Sequence, residues 1–144
     1  MAAGKQGLAL LLTVAALPGC GGSDDTTATQ PQAPVASDQR AVLETIDALQ
    51  TASRRGDGQK ICAELFTTEL ARSIQKAAKR SCATEVRRRL FRPGASISVQ
   101  RGIEVSGTNA TAVIREQNGV ISTLHMLKRA DDWRINRVIP RGAS

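Results

Sequence analysis

Aromatic residues are almost missing from this chain of 144 residues: there is no tyrosine, one tryptophan (Trp133) and two phenylalanines (Phe66 and Phe91). Without tyrosine there is no phenol to act as an oxyanion donor. Three rings are too few for the platforms on which bases or sugars stack, which argues against nucleic acid as a partner despite a net charge of +7. A core must instead come from Ile, Leu, Val and Ala. Histidine is equally scarce: His125 is the only imidazole. Cysteine is limited to Cys20, Cys62 and Cys82. Nothing resembles a Ser-His-Asp set, a metal cluster or a phosphate-binding glycine loop, so no cofactor and no metal is expected.

What is present begins at the amino terminus. Lys5 gives a short positive start, Leu8 to Leu17 is an uncharged stretch built on Leu, Ala and Val, and Leu17-Pro18-Gly19-Cys20 closes it with small residues. This is the layout of a secretory signal at residues 1–19, too short to span a bilayer as a stable helix. The tetrapeptide resembles the lipobox of bacterial lipoproteins, with Leu17, Gly19 and Cys20 matching and Pro18 standing where Ala or Ser is usual. The resemblance implies cleavage before Cys20, a diacylglycerol on its sulfur and a further acyl chain on its amino group. The chain would then be held on the extracytoplasmic face of a bacterial cell membrane by its lipid anchor. An ordinary signal peptide with Cys20 as a bystander is the alternative. Cleavage leaves 125 residues with 19 basic side chains against 13 acidic ones, enough for one domain.

With Cys20 acylated, Cys62 and Cys82 remain as an even pair in an oxidising compartment and are expected to form a disulfide. A metal pair is the rival, but two thiols and one distant histidine make a poor zinc set. Residues 20–36 hold Gly, Ser, Asp, Thr, Gln, Pro and Ala, with Val35 the one sizeable apolar side chain, and read as a flexible tether.

The folded part is expected over 37–140, leaving a short tail at 141–144. Val42, Leu43, Ile46 and Leu49 fall at helical spacing, with Ser37 or Asp38 as N-cap and Gly56 as terminator. A second helix from Asp57 carries Ile61, Cys62, Leu65 and Phe66. A third, capped by Thr67 or Thr68, carries Leu70 and Ile74, breaks near Ser81 and resumes through Cys82, Val86, Leu90 and Phe91. Pro93-Gly94 ends the helical half. The period then changes to two. Runs at 97–106, 109–117, 120–129 and 133–139 are separated by Gly107-Thr108, Asn118-Gly119 and Asp131-Asp132, the second being a strong hairpin signal. Helices followed by a four-stranded antiparallel meander define an α+β fold with the helices on one face of a curved sheet.

This order resembles the nuclear transport factor 2-like superfamily. Arg-Arg-Gly-Asp after the first helix, paired cysteines in the helical half and Asp-Asp-Trp-Arg-Ile opening the last strand carry the resemblance, which covers residues 38–140. It is nearest to that superfamily's small bacterial lipoproteins of undefined function. The resemblance implies a concavity between sheet and helices that takes small molecules, and a convex sheet face through which many members dimerise. A cystatin-like sheet on a single helix has too little helix to compete.

A two-residue turn at Asn118-Gly119 would set Glu116 opposite Ile121, Ile114 opposite Thr123 and Ala112 opposite His125. The inner face then collects Ile97, Val99, Ile103, Val105, Ala110, Ala112, Ile114, Ile121 and Leu127, joined by Trp133, Ile135 and Ile139. Four polar side chains intrude there: Arg101, Glu116, Thr123 and His125. Buried polar groups need partners, so these four form the candidate pocket. Alternatively Arg101 and Glu116 sit at a wet rim and His125 is a satisfied core histidine, and a bulge at Arg101-Gly102 would turn Arg101 outward. Val113, Leu124 and Met126 form an apolar patch on the other face, a candidate interface for a homodimer or an envelope protein.

Catalysis would need a pocket carboxylate with a raised pKa beside a second acid or phenol, and the superfamily's isomerase and cyclase constellations find no residue-by-residue match here. No catalytic residue is therefore assigned. The basic run Lys76, Lys79, Arg80, Arg87, Arg88, Arg89 and Arg92 is either a solvated helix face or a contact for anionic headgroups or wall polymers. The expected function is a membrane-tethered, non-catalytic ligand- or partner-binding domain. The alternatives are a structural domain acting through its convex sheet and basic helices, or an isomerase/cyclase-like enzyme.

Overall fold

The computed structural model describes residues 34–141. The leader at 1–19, Cys20, the tether up to residue 33 and the last three residues lie outside them.

Helix α1 runs from Pro34 to Arg55, starting a few residues before the expected Ser37. Its buried stripe is Val42, Ile46, Leu49 and Ala52, while Leu43 is 42% exposed on the other side. Asp38 does not cap the helix; its carboxylate takes a 2.7 Å hydrogen bond from Lys128 Nζ and ties α1 to the sheet. Gly56, at φ +66°, ends α1. Its N–H bonds Ser53 O at 2.9 Å, and Asp57 N–H bonds Ala52 O at 2.8 Å, which together form a Schellman closure. Asp57 then caps the next helix, its Oδ1 accepting from Lys60 N–H.

The remaining helices come as two short units built alike. Helix α2, Gly58–Lys60, continues into a π-turn at Ile61–Leu65 and stops at Phe66, whose N–H bonds Ile61 O. Helix α4, Cys82–Glu85, continues into a π-turn at Val86–Leu90 and stops at Phe91, whose N–H bonds Val86 O. The two rings meet edge to face, 6.4 Å apart, in the core. Between them lies α3, Thr68–Ala78, capped by Thr67 Oγ1 and ended by Lys79 at φ 50°. Cys62 and Cys82 are joined by a disulfide with Cα atoms 6.1 Å apart. Beside this link α2 and α4 touch backbone to backbone: a Cβ on Gly58 would sit 2.4 Å from Ala83 O.

The sheet holds β1 (Ile97–Val99), β2 (Glu104–Ser106), β3 (Asn109–Glu116), β4 (Ile121–Arg129) and β5 (Asp132–Arg141) in antiparallel order. The first expected run is split in two. Val99 pairs with Ile114 and Glu104 with Thr111, so the surplus residues around Arg101-Gly102 bulge out of the ladder. The fold is α+β, with all helices on the inner face of a twisted sheet. Phe66 also bridges Ile135 in parallel, and Thr67 N–H bonds Ile135 O, fixing the helical layer against β5.

The register of β4 differs from the expectation by one residue. The loop Gln117-Asn118-Gly119 has three residues, with Gly119 at φ +83° and Glu116 N–H bonded to Val120 O. A left-handed glycine after a type I turn makes a bulged three-residue loop, and the slip flips every side chain of β4 to the other face. Ser122, Leu124 and Met126 are therefore inside, and Ile121, Thr123, His125 and Leu127 outside. A second irregularity at Asn136 re-phases β5. Trp133 and Ile135 are buried as expected, but Val138 follows them inward and Ile139 is 41% exposed.

Candidate functional site

The centre of the inner face is packed, and a hollow of about 420 Å³ opens at its edge between α1 and β5, lined by Ala48, Leu65 and Trp133. Ile97, Ala110, Ala112, Ile114, Leu124, Met126, Trp133 and Ile135 close against Val42, Ile46, Leu49, Ile61, Val86 and both phenylalanines. Of the four side chains expected in a pocket, Glu116 alone is there, at 5% exposure. Burial pushes its carboxyl above the usual carboxylate range, with the Arg92 guanidinium pulling weakly the other way. No hydrogen bond or ion pair reaches this carboxylate among the described residues. A raised carboxyl of this kind suits proton transfer. However, His125 lies on the opposite face of the sheet, where alternation from Leu124 and Met126 places it, so the two cannot share a proton.

At the other end of the inner face, Lys128 and Asp38 form their ion pair. The Lys128 hydrogen bond is the main cause that holds Asp38 below the ordinary carboxylate range, with a weaker pull from Trp133. The Trp133 indole nitrogen is itself buried without a partner of hydrogen-bond geometry.

Arg101, Thr123 and His125 sit on the outer sheet face. Arg101 is turned out by the bulge and lines a hollow of about 190 Å³ with Thr123, Glu104 and Arg141. His125 lines a second hollow of about 190 Å³ with Thr111, Asn136 and Arg137, and the Asn136 amide oxygen is buried there unpaired. Of the candidate interface, Val113 stays on this outer face, half-buried, whereas Leu124 and Met126 are fully in the core, which corrects the expected patch. The outer face also carries Arg115, bonded to Gln100, and Ile139.

A roomier cleft lies in the helical layer, between α3 and the π-turn after α4. It holds about 500 Å³ and is lined by Ile74, Ala77, Ala78 and Leu90 together with Arg80, Glu85, Arg88 and Arg89. The run of basic residues was visible in the sequence. The apolar lining was not, because its members are dispersed over two helices whose packing sets their spacing.

Among the described residues no group of three His, Cys, Asp or Glu side chains is placed to hold a metal, and no helix is long and apolar enough to cross a membrane.

No family model matches the chain, and no curated protein matches it significantly. Among solved structures, an NTF2-like protein of unknown function from Shewanella baltica OS155 is similar at a TM-score of 0.54 and 18% identity, over 74% of this chain and 94% of that one. The chain has the NTF2-like fold: helices first, then a curved antiparallel sheet that wraps one side of them.

Proposed function

We propose that the protein is a lipid-anchored extracytoplasmic binding module that does no chemistry of its own and engages a partner through its outer sheet face. The observation that carries this reading is the packed centre of the inner face. The side chains that would make an internal pocket polar, Arg101, Thr123 and His125, point away from it. The outer hollows, about 190 Å³ each, fall below the roughly 300 Å³ of typical small-ligand sites. Contact there suits a macromolecular surface.

The charge on this face narrows the partner. Arg101, Arg115, Arg137 and Arg141 are exposed around Val113, Thr123 and Ile139. A two-fold homodimer through the same patch would oppose these arginines, since such an interface is self-complementary. An acidic envelope partner fits better. The lipobox-like Leu17-Pro18-Gly19-Cys20 supports the tethered location.

Native mass spectrometry of the protein extracted from its own membrane tests the reading. The expected species begins at an acylated Cys20, contains the Cys62–Cys82 disulfide and holds no stoichiometric small molecule. A chain retaining residues 1–19, or one carrying a bound small organic ligand, would overturn it.

A further inference from the structure

We propose that the cleft between α3 and the π-turn closing α4 binds the headgroup region of an anionic phospholipid. From Arg72 to Arg92 the chain carries eight basic residues and one acidic, Glu85. Glu85 is engaged by Arg89 at 3.3 Å. Arg80 and Arg88 have no carboxylate within ion-pairing distance among the described residues. Two free guanidinium groups line the cleft together with Ile74, Ala77 and Leu90, and its one carboxylate, Glu85, is held by Arg89, so the cleft offers paired donors for phosphate oxygens and an apolar surface for methylenes. A free phosphate would use the first and leave the second wet; an amphiphilic anion uses both.

The length of chain outside the structure points to the same ligand. Thirteen residues lie between Cys20 and Pro34, a span of at most about 50 Å when fully extended. The acylated Cys20 of the proposed function would therefore keep the domain within reach of headgroups. The helical layer and the outer sheet face are opposite sides of the domain. One can lie on lipid while the other stays free for a partner.

The test uses the chain from residue 21 onward, whose core and disulfide lie within 34–141. It is mixed with vesicles of equal parts phosphatidylglycerol and phosphatidylcholine, and with vesicles of phosphatidylcholine alone. Binding is expected to the first and not the second, and to weaken with salt. The double variant Arg80→Gln/Arg88→Gln should lose about tenfold or more in affinity. Ala77→Trp, which fills the cleft and keeps every charge, should also weaken binding. Arg115→Gln/Arg137→Gln, on the outer sheet face, should leave it unchanged. Equal loss from the two arginine pairs, or no effect of Ala77→Trp, would mean diffuse attraction and overturn the cleft. Displacement by inorganic phosphate alone would make it a free-anion site and overturn the lipid. An unacylated Cys20 would defeat the tether and leave vesicle binding standing, whereas failure on vesicles defeats only the cleft.

Discussion

Two residues, Glu116 and Gly58, sit in constrained surroundings. Glu116 is buried without a partner for its carboxylate, and its folded-state pKa lies above the unfolded value. The folded chain therefore holds more protons than the unfolded one once pH passes the ordinary glutamate range. Stability contributed by Glu116 falls as pH rises until the group ionises in both states. Glu116→Gln should remove that slope. Thermal unfolding of parent and variant should coincide in acid and diverge in the variant's favour towards neutral pH; parallel curves would rule this out. Gly58 is the second. Its Cα faces Ala83 O so closely that Gly58→Ala must push α2 from α4. A loss of about 1–3 kcal/mol in denaturant unfolding is expected, typical of overpacking. An unchanged midpoint would mean the two helices are not in contact. The inward position of Glu116 was legible in the strand alternation, and the crowding at Gly58 was not. Periodicity marks Glu116 only through its strand phase, and Gly58 looks like an ordinary residue near a helix start.

At the scale of elements, the helices were readable because their signals are local. Apolar spacing gave α1 and α3, Gly56 and Thr67 marked an end and a start, and the two cysteines fell on facing units. Both π-turns escaped notice, since one extra residue per turn leaves no mark in an apolar pattern this short. The disulfide spans 20 residues, and in the chain-entropy model such a loop contributes about 3 kcal/mol. Cys62→Ser/Cys82→Ser should lower unfolding stability by roughly that amount, read from denaturant melts with and without reductant. The parent should fall to the variant's midpoint on reduction, and a parent insensitive to reductant would contradict the link. The sheet was readable as strands, but not as faces. A two-residue turn and a three-residue turn share the same Asn118-Gly119 signal and both hold Gly119 at positive φ; Asn118 decides between them, since a type I′ turn would need positive φ there and Asn118 does not adopt it. That single residue of slip moved Thr123 and His125 outside and Leu124 and Met126 inside.

For the whole molecule, the slip decides which side chains each face of the sheet presents. With the expected register, Glu116, Thr123 and His125 would share the inner face. With the observed one, aliphatic packing occupies the inside of the NTF2-like fold, and the polar and basic groups ring its surface. The charge is distributed to match: arginines on the outer sheet face, and an arginine-rimmed cleft on the helical side. The most direct measurement is side-chain NMR with a soluble paramagnetic agent that broadens whatever it can approach. The His125 ring and the Thr123 methyl should broaden, while the methyl groups of Leu124 and Met126 stay sharp. Broadened Leu124 and Met126 with a protected His125 ring would return the histidine to the inner face and contradict the account.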